Sequence, residues 1–279
     1  MALKKILMVG VVAAMLVACG DDDGSNPVND SDEGSSSSSS GSLSEVEGTS
    51  VTSVSSSSSV TRVTPCKTDS SDTCEYGELA DERDGQIYKT VTIGDQVWMA
   101  ENLNFETENS FCYNDSAEYC AEYGRLYTWA AAMDSAGFWS VNGMGCGYYK
   151  ICMPTYPVRG VCPEGWHMPS KDEWGELLNF VGQLGATGSV LKSTVGWKDS
   201  EDGSGNGYDS FGFSAIPAGK GSPYDGKGFA ALFWSSSTNN GDMYSFRVNL
   251  CHNYYYHFLD LAGRDWAYSV RCLKDLQAE

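Results

Sequence analysis

The residues able to do chemistry are few and lie mostly in the last third of the chain. His252 and His257 stand five apart, beside Cys251 and near Asp260, a spacing that could make a small metal site. His167 is the only other histidine, so a three-histidine iron centre is not expected, and loop surface is the expected role of the pair. The run Asp199 to Asp209, Asp-Ser-Glu-Asp-Gly-Ser-Gly-Asn-Gly-Tyr-Asp, has the acid and glycine density of a calcium loop. It lacks the Asp-x-Asp-x-Asp-Gly register and the closing Glu, so a solvated turn is expected. No CxxC pair occurs, which removes the usual zinc framework. The expectation is therefore no catalytic residue, no metal and no cofactor.

The ten cysteines divide by position. Cys19 closes the box Leu16-Val17-Ala18-Cys19 behind a basic start (Lys4, Lys5) and an apolar stretch from Ile6 to Val17, as in an export signal ending at a lipidated cysteine. The apolar run is too short to span a bilayer, which takes roughly 20 residues. The expected signal peptide is therefore residues 1–18, with Cys19 acylated. In an exported chain the other nine thiols are expected to oxidise. Short spacings suggest the bridges Cys66 to Cys74, Cys112 to Cys120 and Cys146 to Cys152, leaving Cys162, Cys251 and Cys272 for one bridge and one free thiol. Cys162 to Cys272 is favoured, because it ties the strand before the central helix to the last strand.

Residues 19–65 form an expected flexible tether. Ser35 to Ser40 and Ser55 to Ser59 are homopolymeric, and from Gly20 to Pro65 there is no aromatic residue and no basic one before Arg62. Such a coil has an r.m.s. reach of roughly 35–40 Å and holds a domain off a membrane. Asp21-Asp22-Asp23 either tags the chain for the cell surface or merely begins the solvated tether. The formal charge of -19 disfavours nucleic acid and anionic surfaces as partners.

Residues 66–279 are expected to fold as one α+β domain of short irregular sheets with one or two helices, stapled by disulfides. Ile87 to Ile93 alternates, turns at Gly94-Asp95 and continues into Gln96 to Ala100, a β-hairpin. Leu126 to Met133 reads as a short helix. Ser170-Lys-Asp-Glu173 is a capping box behind Pro169, and Trp174, Leu177, Leu178 and Val181 form one apolar stripe. Further strands are expected at Phe211 to Ile216, Ala230 to Ser236, Tyr244 to Leu250 and Ser269 to Leu273.

Seven segments taken in order carry a family resemblance: Asp84-Gly-Gln-Ile-Tyr-Lys-Thr-Val, Trp98-Met-Ala-Glu-Asn-Leu103, Gly124 to Met133, Gly160-Val-Cys-Pro-Glu-Gly-Trp-His-Met-Pro-Ser170, Gly212 to Pro217, Phe233-Trp-Ser-Ser236 and Ser269 to Asp275. The set resembles the FISUMP family, the Fibrobacter succinogenes major paralogous domain, a family of exported bacterial paralogues. Met168-Pro-Ser-x-x-Glu-Trp174 and Val270-Arg-Cys272 are similar, more distantly, to motifs of the formylglycine-generating enzyme family, whose fold is C-type-lectin-like. That resemblance implies paired N- and C-terminal strands and a ligand face in the long loops before the last strand, here Asn239 to Trp266. The implied ligand residues are Asp242, Tyr244, Arg247, Asn253, Tyr254, Tyr255, Tyr256 and Trp266, since aromatic faces stack on sugars while amides and carboxylates bind hydroxyls. The oxidase chemistry of that enzyme family needs two neighbouring thiols late in the domain. Cys251 stands alone there once Cys272 is bridged, so no enzyme is expected. The reading is an outer-membrane lipoprotein facing the exterior, attached through its lipid, that binds extracellular polysaccharide or a surface protein. A structural envelope protein without a dedicated ligand is the alternative, and an enzyme related to the formylglycine-generating oxidases comes third. Within Cys162 to Trp174 the expected duties are structural, Cys162 bridging, Pro169 and Ser170 starting a helix and Trp174 filling the core, so a site is expected about 80 residues downstream.

Overall fold

The computed structural model describes Cys19 and residues 63–276. The expected signal peptide and residues 20–62 of the expected tether lie outside the described residues. Strands β1 (Lys67–Thr68), β2 (Ser71–Asp72), β3 (Tyr76–Ala80), β4 (Ile87–Ile93), β5 (Gln96–Met99) and β6 (Ser110–Phe111) precede helix α1 (Ala117–Tyr123), strand β7 (Leu126–Thr128) and helix α2 (Trp129–Ala132). After a long loop come β8 (Trp166–His167), α3 (Lys171–Gly182), α4 (Thr187–Leu191), β9 (Ala230–Thr238), β10 (Tyr244–Cys251), β11 (His257–Gly263), β12 (Ala267–Tyr268) and β13 (Leu273–Lys274). The larger sheets are β3-β4-β5-β13-β8, β11-β10-β9 and β12-β7-β6, all antiparallel. The class is α+β, with four helices among the described residues where one or two were expected.

Period-two alternation divides the core in two. On β9, Ala230, Leu232 and Trp234 enter one hydrophobic cluster while Ala231 and Phe233 enter the other. The same division separates Met99 from Trp98 on β5, and Cys272 from Leu273 at the C-terminus. A strand buried on both faces must be apolar at every position, which is why Ala-Ala-Leu-Phe-Trp runs without a polar residue. Helix α3 covers the second cluster with its expected stripe: Trp174, Leu177, Leu178 and Val181 are buried, and Trp174 lies 4.6 Å from Trp98 between ring centroids. The capping box is formed as expected, with Ser170 Oγ accepting from Glu173 N–H and Glu173 accepting from Ser170 N–H.

The C-terminal segment joins the parts. Ser269 bonds to β9 at Leu232 and Trp234, while the carbonyl of Cys272 accepts from Met99 on β5. Because the chain passes from one sheet to another, only Leu273–Lys274 is regular strand where Ser269 to Leu273 was expected. Arg271, fully buried, donates to Asn102 Oδ1 (2.7 Å), to the carbonyls of Met99 (3.1 Å) and Phe213 (2.6 Å), and to that of Ser214 (3.0 Å). This explains why Phe211 to Ile216 is not the expected strand. The buried carboxylate of Asp209 accepts from Ser214 N–H and Oγ–H and holds Ser214 at φ 52°, so that two successive carbonyls turn toward one guanidinium. A strand would aim them to opposite sides. Gly212 fits the same bend at φ 70°, where a Cβ would come within 2.5 Å of Tyr76 Oη.

Leu126 to Met133 also departs from expectation. Its first three residues are strand β7, paired to β6 and β12, and Thr128 then caps α2 by accepting from Ala131 N–H. Tyr127, Thr128 and Trp129 in succession favour extended backbone, and the neighbouring strands decide for it. The bridges Cys66–Cys74, Cys112–Cys120, Cys146–Cys152 and Cys162–Cys272 are present. Cys251 is not the free thiol expected: it pairs with Cys19, at a Cα–Cα distance of 5.7 Å. A cysteine sulfur carries one such substituent, so this bridge and acylation of Cys19 exclude each other.

Both clusters are built from residues 79 to 273, so a fragment spanning residues 63–279 contains the whole core and four internal disulfides. Replacing Arg271 by Met leaves four buried acceptors without a donor, each costing about 1–3 kcal/mol. Arg271→Met is expected to lose on the order of 4 kcal/mol in urea unfolding of this fragment, with Arg271→Lys losing less. A loss under about 1 kcal/mol would show that this network does not hold the C-terminal segment.

Candidate functional site

A groove of about 1030 Å³ opens where the N-terminus of α3, the end of β9 and β10 meet. Tyr156 and Phe246 supply its aromatic faces, and Lys171, Asp172, Thr238 and Asn240 its polar margin. Lys171 N–H donates to Ser237 Oγ, fixing the first turn of α3 against β9, and its ammonium lies 4.9 Å from the Phe246 ring centroid. Tyr156 Oη reaches the carbonyl of Ser236 at 3.4 Å. Asp172, Thr238 and Asn240 make no side-chain hydrogen bond to another described residue and are open to a ligand.

His167 closes the floor. Its Nδ1 lies 2.6 Å from Asp275 Oδ1 and its Nε2 2.9 Å from Glu173 Oε1. Two carboxylates facing two ring nitrogens require both nitrogens to donate, which is the imidazolium. Burial works against that charge, but the hydrogen bond and charge of Glu173, followed by those of Asp275, outweigh it and raise the His167 pKa. For Glu173, burial is likewise outweighed by His167 and by the cap hydrogen bonds, and its pKa falls. Neither nitrogen is left to take a proton or a metal, and Ser170 Oγ is spent on the helix cap. The groove thus offers stacking faces and hydrogen bonds without an activated nucleophile.

The residues implied as a ligand face are not brought together. Region 239–266 is mainly the β10–β11 hairpin rather than loop. Asp242, Tyr244 and Trp266 lie at one end of it, and Asn253, Tyr254, Tyr255 and Tyr256 at the turn of the other, roughly 24 Å away along an eight-residue strand. Arg247, between them, is buried and bonded to Asp260 and to Tyr268 Oη, so it belongs to the core. Trp266 is half-buried beneath Lys220, while Tyr255 and Tyr256 are exposed on the turn. The turn itself is pinned to α4, where Gly188 and Ser189 N–H groups donate to the Tyr255 carbonyl and a Cβ on Gly188 would stand 2.4 Å from the Tyr256 carbonyl oxygen.

The other late groups are dispersed among the described residues. Lys192, buried, donates to the carbonyl of Cys251 beneath the same turn, and burial lowers its pKa to about 8. His252 is buried with Nδ1 against the Lys198 carbonyl, and His257 is half-buried with its pKa lowered by burial. No three His, Cys, Asp or Glu among the described residues are grouped to hold a metal ion. In the acidic run Asp209 points inward to Ser214 and Lys67, and Asp199, Glu201 and Asp202 are solvated. Of the groove residues, Asn240 and Phe246 lie within the expected ligand region Asn239 to Trp266, whereas Tyr156 and Lys171 lie outside it. Their one sequence signal was that Lys171 and Asp172 occupy the solvent-facing first turn after the capping box. Cys162 to Trp174 therefore both builds the fold and lines the groove, contrary to the expectation that nothing but structure resides there.

The His167 pair gives a pH dependence of definite sign. A folded pKa above the unfolded value, about 6.5, means that the stabilisation is complete below that pH and is lost as pH rises through the folded pKa. The lowered Glu173 pKa has the opposite edge, its stabilisation disappearing as pH falls below about 4.3. The melting temperature of the 63–279 fragment is expected to fall from pH 6 toward pH 9, and His167→Asn to remove most of that slope while costing about 2 kcal/mol at pH 6. An unchanged slope in the variant would place the titration elsewhere.

No helix among the described residues is long and apolar enough to cross a membrane. Neither a curated protein nor a solved structure matches the chain. The Fibrobacter succinogenes major domain matches residues 91–274, from the middle of β4 to the end of β13. That span contains most of both halves of the core and most of the groove, and the chain belongs to the Fibrobacter succinogenes major domain family.

Proposed function

We propose that in the exported protein Cys19 is acylated in place of its bridge to Cys251, making the protein a lipid-anchored module displayed at the outer membrane that binds extracellular polysaccharide in the groove beside α3, and that it acts by binding rather than by catalysis. The observation that carries the reading is the pairing of two ring faces, Tyr156 and Phe246, with the open polar groups of Asp172, Thr238 and Asn240. Sugar rings offer C–H faces to aromatics and hydroxyls to amides and carboxylates, which is the combination this groove presents. The blocked His167 and the capped Ser170 support binding over chemistry. A lectin-like ancestry, with the last strand β13 paired to the early strand β5, agrees with the same use.

Retention of the 63–279 fragment on insoluble polysaccharides, read alongside a glycan array, tests the groove. Tyr156→Ala and Phe246→Ala are each expected to weaken retention about tenfold, near 1.4 kcal/mol, while Tyr255→Ala leaves it unchanged. No retention on any glycan, combined with self-association of the fragment, would instead favour a structural envelope protein. The anchor is tested by mass spectrometry of the membrane fraction. A diacylglyceryl group is expected on Cys19, with Cys251 alkylated only after denaturation because it is fully buried. Recovery of a Cys19–Cys251 linked peptide would overturn the anchor.

A further inference from the structure

Exposed apolar side chains are concentrated in one loop. Of the seventeen large hydrophobic residues exposed on the described surface, nine lie between Phe138 and Tyr156. Tyr156 belongs to the groove, and Tyr148 and Tyr149 pack on each other with their rings tilted by 54° at the margin beside Asp265. The remaining six are Phe138, Trp139, Val141, Met144, Ile151 and Met153, with Ile151 76% and Met153 95% exposed. An exposed patch of this kind on a stable domain marks a contact surface.

The loop is held in place from beneath. The buried carboxylate of Asp134 accepts from the N–H groups of Phe138, Trp139 and Ser140. Arg264, buried over the Trp129 ring, donates to the carbonyls of Gly147 and Lys150. Cys146–Cys152 closes the segment between them, and Thr155 N–H donates to the Asn142 carbonyl across it. These bonds present the apolar side chains in a set arrangement, so their exposure is not the result of a loose segment.

Charge points to the occupant. The chain carries a formal -19, yet the segment from Ser135 to Pro163 has no carboxylate of its own and its ionised side chains are Lys150 and Arg159; Glu108, beside Phe138 and Lys150, and Asp265, beside Tyr148, are carboxylates at its edge. The bounding Asp134 has its charge turned inward onto three N–H groups. Aliphatic tips such as Ile151 and Met153 add nothing to sugar stacking. Together with Phe138, Trp139 and a flanking lysine they match the boundary between lipid headgroups and acyl chains.

We propose that the 136–155 loop is a membrane-docking surface that inserts its apolar side chains at the headgroup–acyl boundary of an anionic bilayer. The loop would then orient the domain on the membrane, independently of glycan binding in the groove. An anionic surface that repels most of this acidic domain accepts only this face, which is how a single orientation is selected.

The test is flotation of the 63–279 fragment, which lacks the signal and Cys19, with vesicles of phosphatidylcholine alone or containing phosphatidylglycerol. Co-flotation with the phosphatidylglycerol vesicles is expected, weaker with phosphatidylcholine alone and reduced by salt, with a blue shift of Trp emission. The combined variant Phe138→Ser, Ile151→Ser, Met153→Ser is expected to lose about tenfold in bound fraction at an unchanged melting temperature. Lys150→Glu, at an exposed position, is expected to weaken binding to the anionic vesicles without affecting the fold. Absence of flotation overturns the proposal, as does flotation insensitive to all of these substitutions. Self-association abolished by the triple variant, without vesicle binding, would assign the loop to a second copy of the chain and equally overturn it. Glycan retention by the triple variant keeps this outcome separate from that of the groove.

Discussion

A single buried cation organises the fold. The Arg271 guanidinium has no carboxylate against it and is held by one amide oxygen and three backbone carbonyls, drawn from the end of β5, the turn after it and the bend at Phe213-Ser214. Burial pulls its pKa down to about 9, so it remains a cation at neutral pH and must keep every acceptor. Asn102 extends the network by donating to the Tyr123 carbonyl and to Ser269 Oγ. Three segments far apart in sequence are thereby fixed to the last strand, and Cys162–Cys272 closes the adjoining residue covalently.

Polar burial recurs on β10. Val248 and Leu250 face the second hydrophobic cluster, while Ser245, Arg247 and Asn249 are buried on the opposite side. Arg247 is satisfied by Asp260 and Tyr268, and Ser245 accepts from Arg264, which reaches on to the stapled loop. Buried cations here act as rivets between irregular segments, because short strands alone provide few ladder hydrogen bonds. Regular sheet is replaced by side chains that gather carbonyls from loops.

The groove follows from the same economy of parts. The capping box that starts α3 places Glu173 beneath His167, and His167 holds Asp275 at the far end of the chain. One short segment therefore starts a helix, forms a strand beside β13 and lines a groove whose opposite wall is β9 and β10. Structural duty and ligand access coexist because Lys171 and Asp172 face outward from the turn whose other side chains face in.

Local signals in the sequence were sufficient for the Ile87–Met99 hairpin, the capped helix with its Trp174 stripe, the apolar run of β9 and the bridges between nearby cysteines. Each depends on neighbours in the chain, where periodicity, turn residues and loop closure act directly. The fate of Phe211 to Ile216, the splitting of Leu126 to Met133 and the partner of Cys251 each depended on a distant residue as well: Arg271 for the first, β12 for the second and Cys19, at a sequence separation of 232, for the third. Arg247 read as a ligand residue because its type suits binding, and only the packing of Asp260 and Tyr268 around it made it core. Tyr254 and Trp266 looked like neighbours in sequence, but a hairpin separates them by the length of its strands. The groove assembles Tyr156, Lys171 and the pair Asn240 and Phe246 from three separate segments, of which only the last lies in the expected ligand region, so no pattern along the chain could announce the whole. It exists because the last strand, held by Arg271 and Cys272, draws those segments to one edge of the fold.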